Sequence, residues 1–116
     1  FYTDALGFDV AFERPEDGFI YLSREGAELM LDAIETGRTW LTAPLEAPFG
    51  RGVNLQIWTE DVASLYRCVE AANATVFLPL EEKWYRIGEM HGGNKQFVVQ
   101  DPDGYLLRFA QDLGMR

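Results

Sequence analysis

Four residues, Asp101-Pro102-Asp103-Gly104, restrict this chain more than any others. Proline presets φ, the Asp side chains accept bonds from nearby N–H groups, and Gly takes a positive φ without steric cost. The runs on either side, rich in Val, Leu, Phe and Tyr, must therefore fold back on each other, so Gln96 to Gln111 is expected to be one β-hairpin. Side chains alternate across a strand, which groups Tyr105, Leu107 and Phe109 on a fully apolar face and Leu106, Arg108 and Ala110 on the other. A single Arg between Leu and Ala marks that second face as enclosed without being sealed, like the wall of a cleft.

The chain has 116 residues, 47% of them hydrophobic and 14% aromatic, enough to bury a core as one domain without metals or disulfides. No apolar run approaches the length that spans a bilayer. One cysteine, Cys68, excludes an internal disulfide, and with no secretory pattern in the sequence a reducing cytoplasm is the expected compartment. The formal charge of −9 opposes attraction to nucleic acid or anionic lipid and favours a cationic small ligand.

Along the chain, Phe1 to Gly7 has the pattern of the last turns of a helix closed by a Gly cap, so a strand is expected to precede residue 1. Phe8, Val10 and Phe12 alternate onto one face, Pro15-Glu16-Asp17-Gly18 makes a turn into Phe19 to Ser23, and Arg24-Glu25-Gly26 turns again. In the strand from Ala27, Glu28, Met30 and Asp32 oppose Leu29 and Leu31. Glu35 to Arg51 has no sustained period and is expected to be a connector, in which Trp40 and Phe49 are conspicuous. Val53, Leu55 and Ile57 then alternate with Asn54, Gln56 and Trp58, and one of these two faces is expected to be core. Asp61 suits the cap of a helix over 62–72, in which Cys68 is expected buried or half-buried, with Asn73 closing it. Pro79 interrupts a strand over 75–82 and suggests an edge or a bulge, and Lys83 to Asn94 reads as irregular.

The halves match as strand-helix-strand-strand-strand once a strand is supplied before residue 1. The expected architecture is α+β, paired βαβββ modules over 1–34 and 52–116 joined by a linker over 35–51, all in one domain. The segments Phe1-Tyr2 through Leu6-Gly7-Phe8, Val53 to Val62, and Asp101-Pro102-Asp103-Gly104-Tyr105-Leu106-Leu107 resemble the vicinal oxygen chelate superfamily. That superfamily contains glyoxalase I, extradiol dioxygenases, and fosfomycin and bleomycin resistance proteins.

The resemblance implies a cleft in which enzymes of the family hold a divalent metal on His, Gln and Glu. Here the position resembling the family's central His is Asn54, and that of its final-strand Glu is Arg108. Glu28 or Met30 occupies the corresponding place in the first half. A permanent cation at a ligand position disfavours a metal. Neither a catalytic constellation nor a cofactor is expected, and lone His91 sits in a Gly-rich stretch. Trp84-Tyr85-Arg86 and Asn94 to Phe97 look most like the bleomycin resistance branch, whose members pair and sequester a drug without chemistry. The resemblance thus implies a homodimer binding a cationic or aromatic ligand, with no metal, nucleic acid or membrane. Trp40, Phe49 and Trp84 would supply rings; Asn54, Gln56, Gln96 and Arg108 would supply donors and acceptors; Glu28 and Met30 would line the first half. Two other readings stay open at this point: a metal-dependent glyoxalase- or dioxygenase-like enzyme, with ligands supplied upstream of residue 1 or by the partner subunit, and a scaffold for protein partners.

Overall fold

The computed structural model describes residues 1–34, 44–51 and 53–116. It is an α+β structure of two compact units, Phe1–Glu46 and Ala47–Arg116, so the division falls inside the expected connector.

The first unit opens with a turn in which the Ala5 N–H donates to the Phe1 carbonyl (3.0 Å) and the Phe8 N–H to the Tyr2 carbonyl (2.9 Å). Gly7, at φ 72°, closes it. The anticipated glycine stop is present, but the residues before it form a turn and not an assigned helix. Then β1 (Asp9–Arg14), a short 3-10 turn at Pro15–Asp17, β2 (Phe19–Arg24) and β3 (Ala27–Asp32) make an antiparallel sheet in the order β1-β2-β3. Among the described residues of this unit, Ala5, Leu6, Phe8 and Leu22 are buried.

One irregularity changes which side chains share a face. Val10 pairs with Leu22, yet Phe12 pairs with Tyr21, so a bulge at Ala11 interrupts the β1 ladder. An extra residue reverses the alternation beyond it. Phe12 therefore leaves the face of Val10 and Leu22 and joins that of Tyr21, which corrects the expectation that Phe8, Val10 and Phe12 lie together.

The second unit is a four-stranded sheet in the order β4-β7-β6-β5, with one helix. Here β4 (Asn54–Trp58) is parallel to β7 (Leu106–Met115), while β6 (Met90–Gln100) is antiparallel both to β7 and to β5 (Thr75–Ile87). Strand, helix, strand, strand and strand follow one another, as anticipated for this half. The helix α1 (Val62–Ala71) starts at Asp61, whose carboxylate accepts from the Ser64 N–H at 3.0 Å. It stops where Asn73, at φ 53°, adopts the left-handed conformation and the Ala74 N–H reaches the Val69 carbonyl at 3.2 Å. Its buried side chains are Val62, Leu65 and Val69, and Tyr66 sets its ring edge-on to Phe97, 5.2 Å between centroids. Phe97 in turn stacks on Phe109 at 5.5 Å. The helix thus covers the sheet face carrying Phe97, Val99, Leu107 and Phe109, all buried.

Three local expectations change in this unit. Residues 83–94 are not irregular: β5 and β6 continue as a long hairpin turning at Gly88 (φ 64°). Only Ile57 of the alternating Val53, Leu55 and Ile57 is buried, since β4 is an edge strand and the helix does not reach the other two equally. Cys68 is exposed, because it falls on the side of α1 away from Val62, Leu65 and Val69. Pro79 lies where the β5 register shifts, on an edge strand, so both parts of that expectation hold. No helix among the described residues is long and apolar enough to cross a membrane.

The hairpin turn is built as its residues dictate. Asp101 Oδ1 accepts from the N–H groups of Asp103 (3.0 Å) and Tyr105 (2.8 Å), and Gly104 sits at φ 96°. A Cβ on Gly104 would lie 2.4 Å from Pro48.

Candidate functional site

The first unit carries an open sheet face, whereas on the helix-free face of the second Gln96, Val98 and Ala110 are buried. In the first, pairing across β1, β2 and β3 lines up Phe12, Tyr21 and Met30 in one row and Arg14, Phe19 and Asp32 in the next. With Asp17 these residues line a groove of about 870 Å³. Phe12 stacks on Tyr21, 5.0 Å between centroids with planes 19° apart, and lies 6.0 Å from Phe19. Phe12 remains 50% exposed and Met30 66%, so the rings and the thioether are presented outward.

The groove's charges are anchored. Arg14 bonds Asp17 at 3.0 Å while its guanidinium lies 4.1 Å from the centre of Phe19. The Tyr21 hydroxyl donates to Glu28 Oε2 at 2.5 Å. This bond favours the neutral phenol, and with partial desolvation and the nearby negative charge it raises the Tyr21 pKa above its ordinary value. Two carboxylates, Asp17 and Asp32, stand against one Arg along the lining, with Glu28 beside them on β3, so the groove suits a planar group carrying positive charge.

In the second unit, the face turned away from α1 carries the rows Gln56, Arg108, Val98, Leu78 and Trp58, Ala110, Gln96, Glu81. Asn54 extends it beside Leu106. Gln96 is 1% exposed; its Nε2 donates to Glu81 Oε1 (3.0 Å) and to the Tyr85 hydroxyl (2.7 Å). Its Oε1 is buried without a partner, as is Arg108 Nε.

The residues anticipated from sequence therefore fall into groups. Asn54, Gln56, Gln96 and Arg108 share the helix-free face of the second unit, and Glu28 and Met30 share the groove side of the first. Trp84 pairs with Gly93 on the opposite side of its sheet from Gln96, with the Arg116 guanidinium 4.0 Å from its ring centre. Phe49 packs against Tyr105 at 6.2 Å and its N–H donates to the Asp103 carbonyl, which ties it to the hairpin turn. Trp40 lies outside the described residues. Phe12, Phe19 and Tyr21 were not anticipated, although the alternation of Phe19 and Tyr21 with Ile20 and Leu22 was visible in the sequence.

The family model described as the glyoxalase/bleomycin resistance protein/dioxygenase superfamily matches residues 1–109. The chain belongs to that superfamily. A solved superfamily member from Vibrio splendidus 12B01 is 42% identical, spanning 97% of this chain and 85% of that one, with a TM-score of 0.49. TioX from Micromonospora sp. ML1 is 22% identical over 97% of this chain and 85% of its own, with a TM-score of 0.74. An integron cassette protein from V. cholerae is 20% identical over 96% and 80%, with a TM-score of 0.68. The last two likenesses establish the fold. No curated protein matches the chain.

The divalent metal found in enzymes of such a family does not fit the donors present. The helix-free face offers the amides of Asn54 and Gln56 beside a guanidinium whose Nε is already buried and unpaired. Among the described residues no three His, Cys, Asp or Glu side chains gather closely enough to hold a metal ion.

Proposed function

We propose that this superfamily member is a metal-free small-molecule binding protein of the bleomycin resistance type, which sequesters a cationic or aromatic ligand between two subunits in the cytoplasm. The observation that carries this reading is the groove of the first unit, where stacked Phe12 and Tyr21, with Phe19 and Met30, lie open beside Asp17 and Asp32. Exposed rings of this kind supply flat contact area at low entropic cost, and the rim carboxylates select for positive charge. The formal charge of −9 adds long-range attraction for a cation. A second copy of the chain set against this face would enclose the groove and cover Phe12 and Met30, both exposed.

Calorimetric titration with metal-free bleomycin, beside metal analysis and a Ni²⁺ titration, tests the proposal. Saturable binding near one drug per subunit is expected, with affinity falling at least about tenfold in Phe12→Ala. Stoichiometric metal binding with no heat from the drug would overturn it.

A further inference from the structure

We propose that the groove of the first unit takes a dication, a small molecule with an aromatic middle and a positive group at each end; this deepens the reading of the groove as the binding surface and rests on it. The strand register sorts the groove side of the sheet into three rows. Asp9 pairs with Ser23 and Ser23 with Glu28, so two carboxylates flank a hydroxyl at one end. Phe12, Tyr21 and Met30 form the middle row, rings and a thioether without charge. Arg14, Phe19 and Asp32 form the far row, with Asp17 lining the same end. Glu28 and Asp32 stand four residues apart on β3, which at the rise of an extended strand separates the two acidic ends by about 13 Å. Asp9, Glu28, Met30 and Asp32 are all exposed, so a ligand can reach the whole length of the face.

Each end keeps a negative charge. At the far end the Arg14 guanidinium bonds Asp17 and lies against Phe19, which leaves Asp32 as the excess carboxylate. At the near end the partner of Glu28 is the Tyr21 hydroxyl, a neutral donor to Oε2, so that carboxylate keeps both its charge and its other oxygen. Among the described residues no Lys, Arg or His forms an ion pair with Asp9, Glu28 or Asp32. An anion would meet repulsion at both ends and a zwitterion at one. A ligand with a single cation that covers the middle row would set its uncharged end against the opposite carboxylate, removing water from that charge and putting nothing in its place. Two cations held about 13 Å apart by a ring system answer both ends and the row between them.

The test titrates the full chain with 4′,6-diamidino-2-phenylindole, with its analogue carrying one amidine, and with uncharged 2-phenylindole, each followed by its own fluorescence. Saturable binding of the diamidine is expected, at least about fivefold tighter than that of the single amidine, with the difference shrinking as salt rises. Asp32→Asn should remove most of the diamidine's advantage, whereas Glu28→Gln, which can still accept from Tyr21, should weaken both amidines. Both substitutions fall at exposed positions, so folding is not at stake. Equal affinity for one and two amidines, a diamidine site indifferent to Asp32→Asn and Glu28→Gln, or no saturable diamidine binding would each overturn the dication. The bleomycin titration of Phe12→Ala decides the groove itself, so the two readings fail separately.

Discussion

The first unit turns the rings of one sheet face and a thioether outward, while the second buries the stacked pair Phe97 and Phe109 under a helix and places a polar network on the other face, with Trp58 and Phe77 left exposed. The core sizes go with this division. Four buried apolar residues belong to the first unit and ten to the second, among the described residues. A well-filled core tolerates the burial of Gln96 with one unsatisfied atom, because packing around Phe97 and Phe109 offsets the cost. The first unit has less to spend, and its polar groups are partnered at the surface: Arg14 with Asp17, Tyr21 with Glu28. The comparison teaches that a sheet face made of exposed rings asks little of the core behind it, whereas one made of buried polar atoms depends on that core.

Substitutions probe this contrast. The largest effect should come from Phe109→Ala, fully buried and stacked on Phe97, which is expected to cost about 3–5 kcal/mol in denaturant unfolding. Gly104→Ala should follow, since the new methyl meets Pro48 at a positive φ; a loss of about 1–3 kcal/mol in the same assay is expected. Asp61→Ala removes the cap of α1 and should lower stability by about 1 kcal/mol. By contrast Phe12→Ala should move the unfolding midpoint little, within about 1 kcal/mol, while weakening drug binding. A large loss of stability there would erase the distinction between the two faces. The smallest effect concerns pH. Folding raises the Tyr21 pKa, so the stability this group contributes is complete below its ordinary pKa of 10.0 and is lost as pH rises through the higher folded value. Tyr21→Phe should abolish that alkaline component in a pH series of thermal melts, and leave the curve below pH 10 with the same shape.

Much of the fold was legible because turn and cap chemistry is local. The Asp101 to Gly104 turn, the Asp61 cap, Asn73 as a left-handed stop and the Pro79 irregularity each depend on a few adjacent residues whose conformational preferences are strong. The same alternation also grouped Leu106, Arg108 and Ala110 on one face, while the register that sets Gln96 beside them came only with the structure. What escaped was non-local. Gly92 and Gly93 suggested an irregular stretch, but β6 carries them because cross-strand pairing on both sides supports the backbone there. The aromatic groove was missed for a different reason: periodicity assigned Phe12 to the face of Val10, and nothing in the hexapeptide Asp9 to Arg14 announces that Ala11 is spare.

That spare residue has a consequence for how such a surface can arise or vanish. Since sidedness along a strand depends only on whether a count is odd or even, pairing Ala11 with Tyr21 instead of passing it over would carry Phe12 to the side of Leu22 without altering any side chain. Arg14 would move with it, away from the ring of Phe19. Whether one residue of this strand is paired or passed over therefore decides which rings share a face, a coarser control than replacement of the rings themselves.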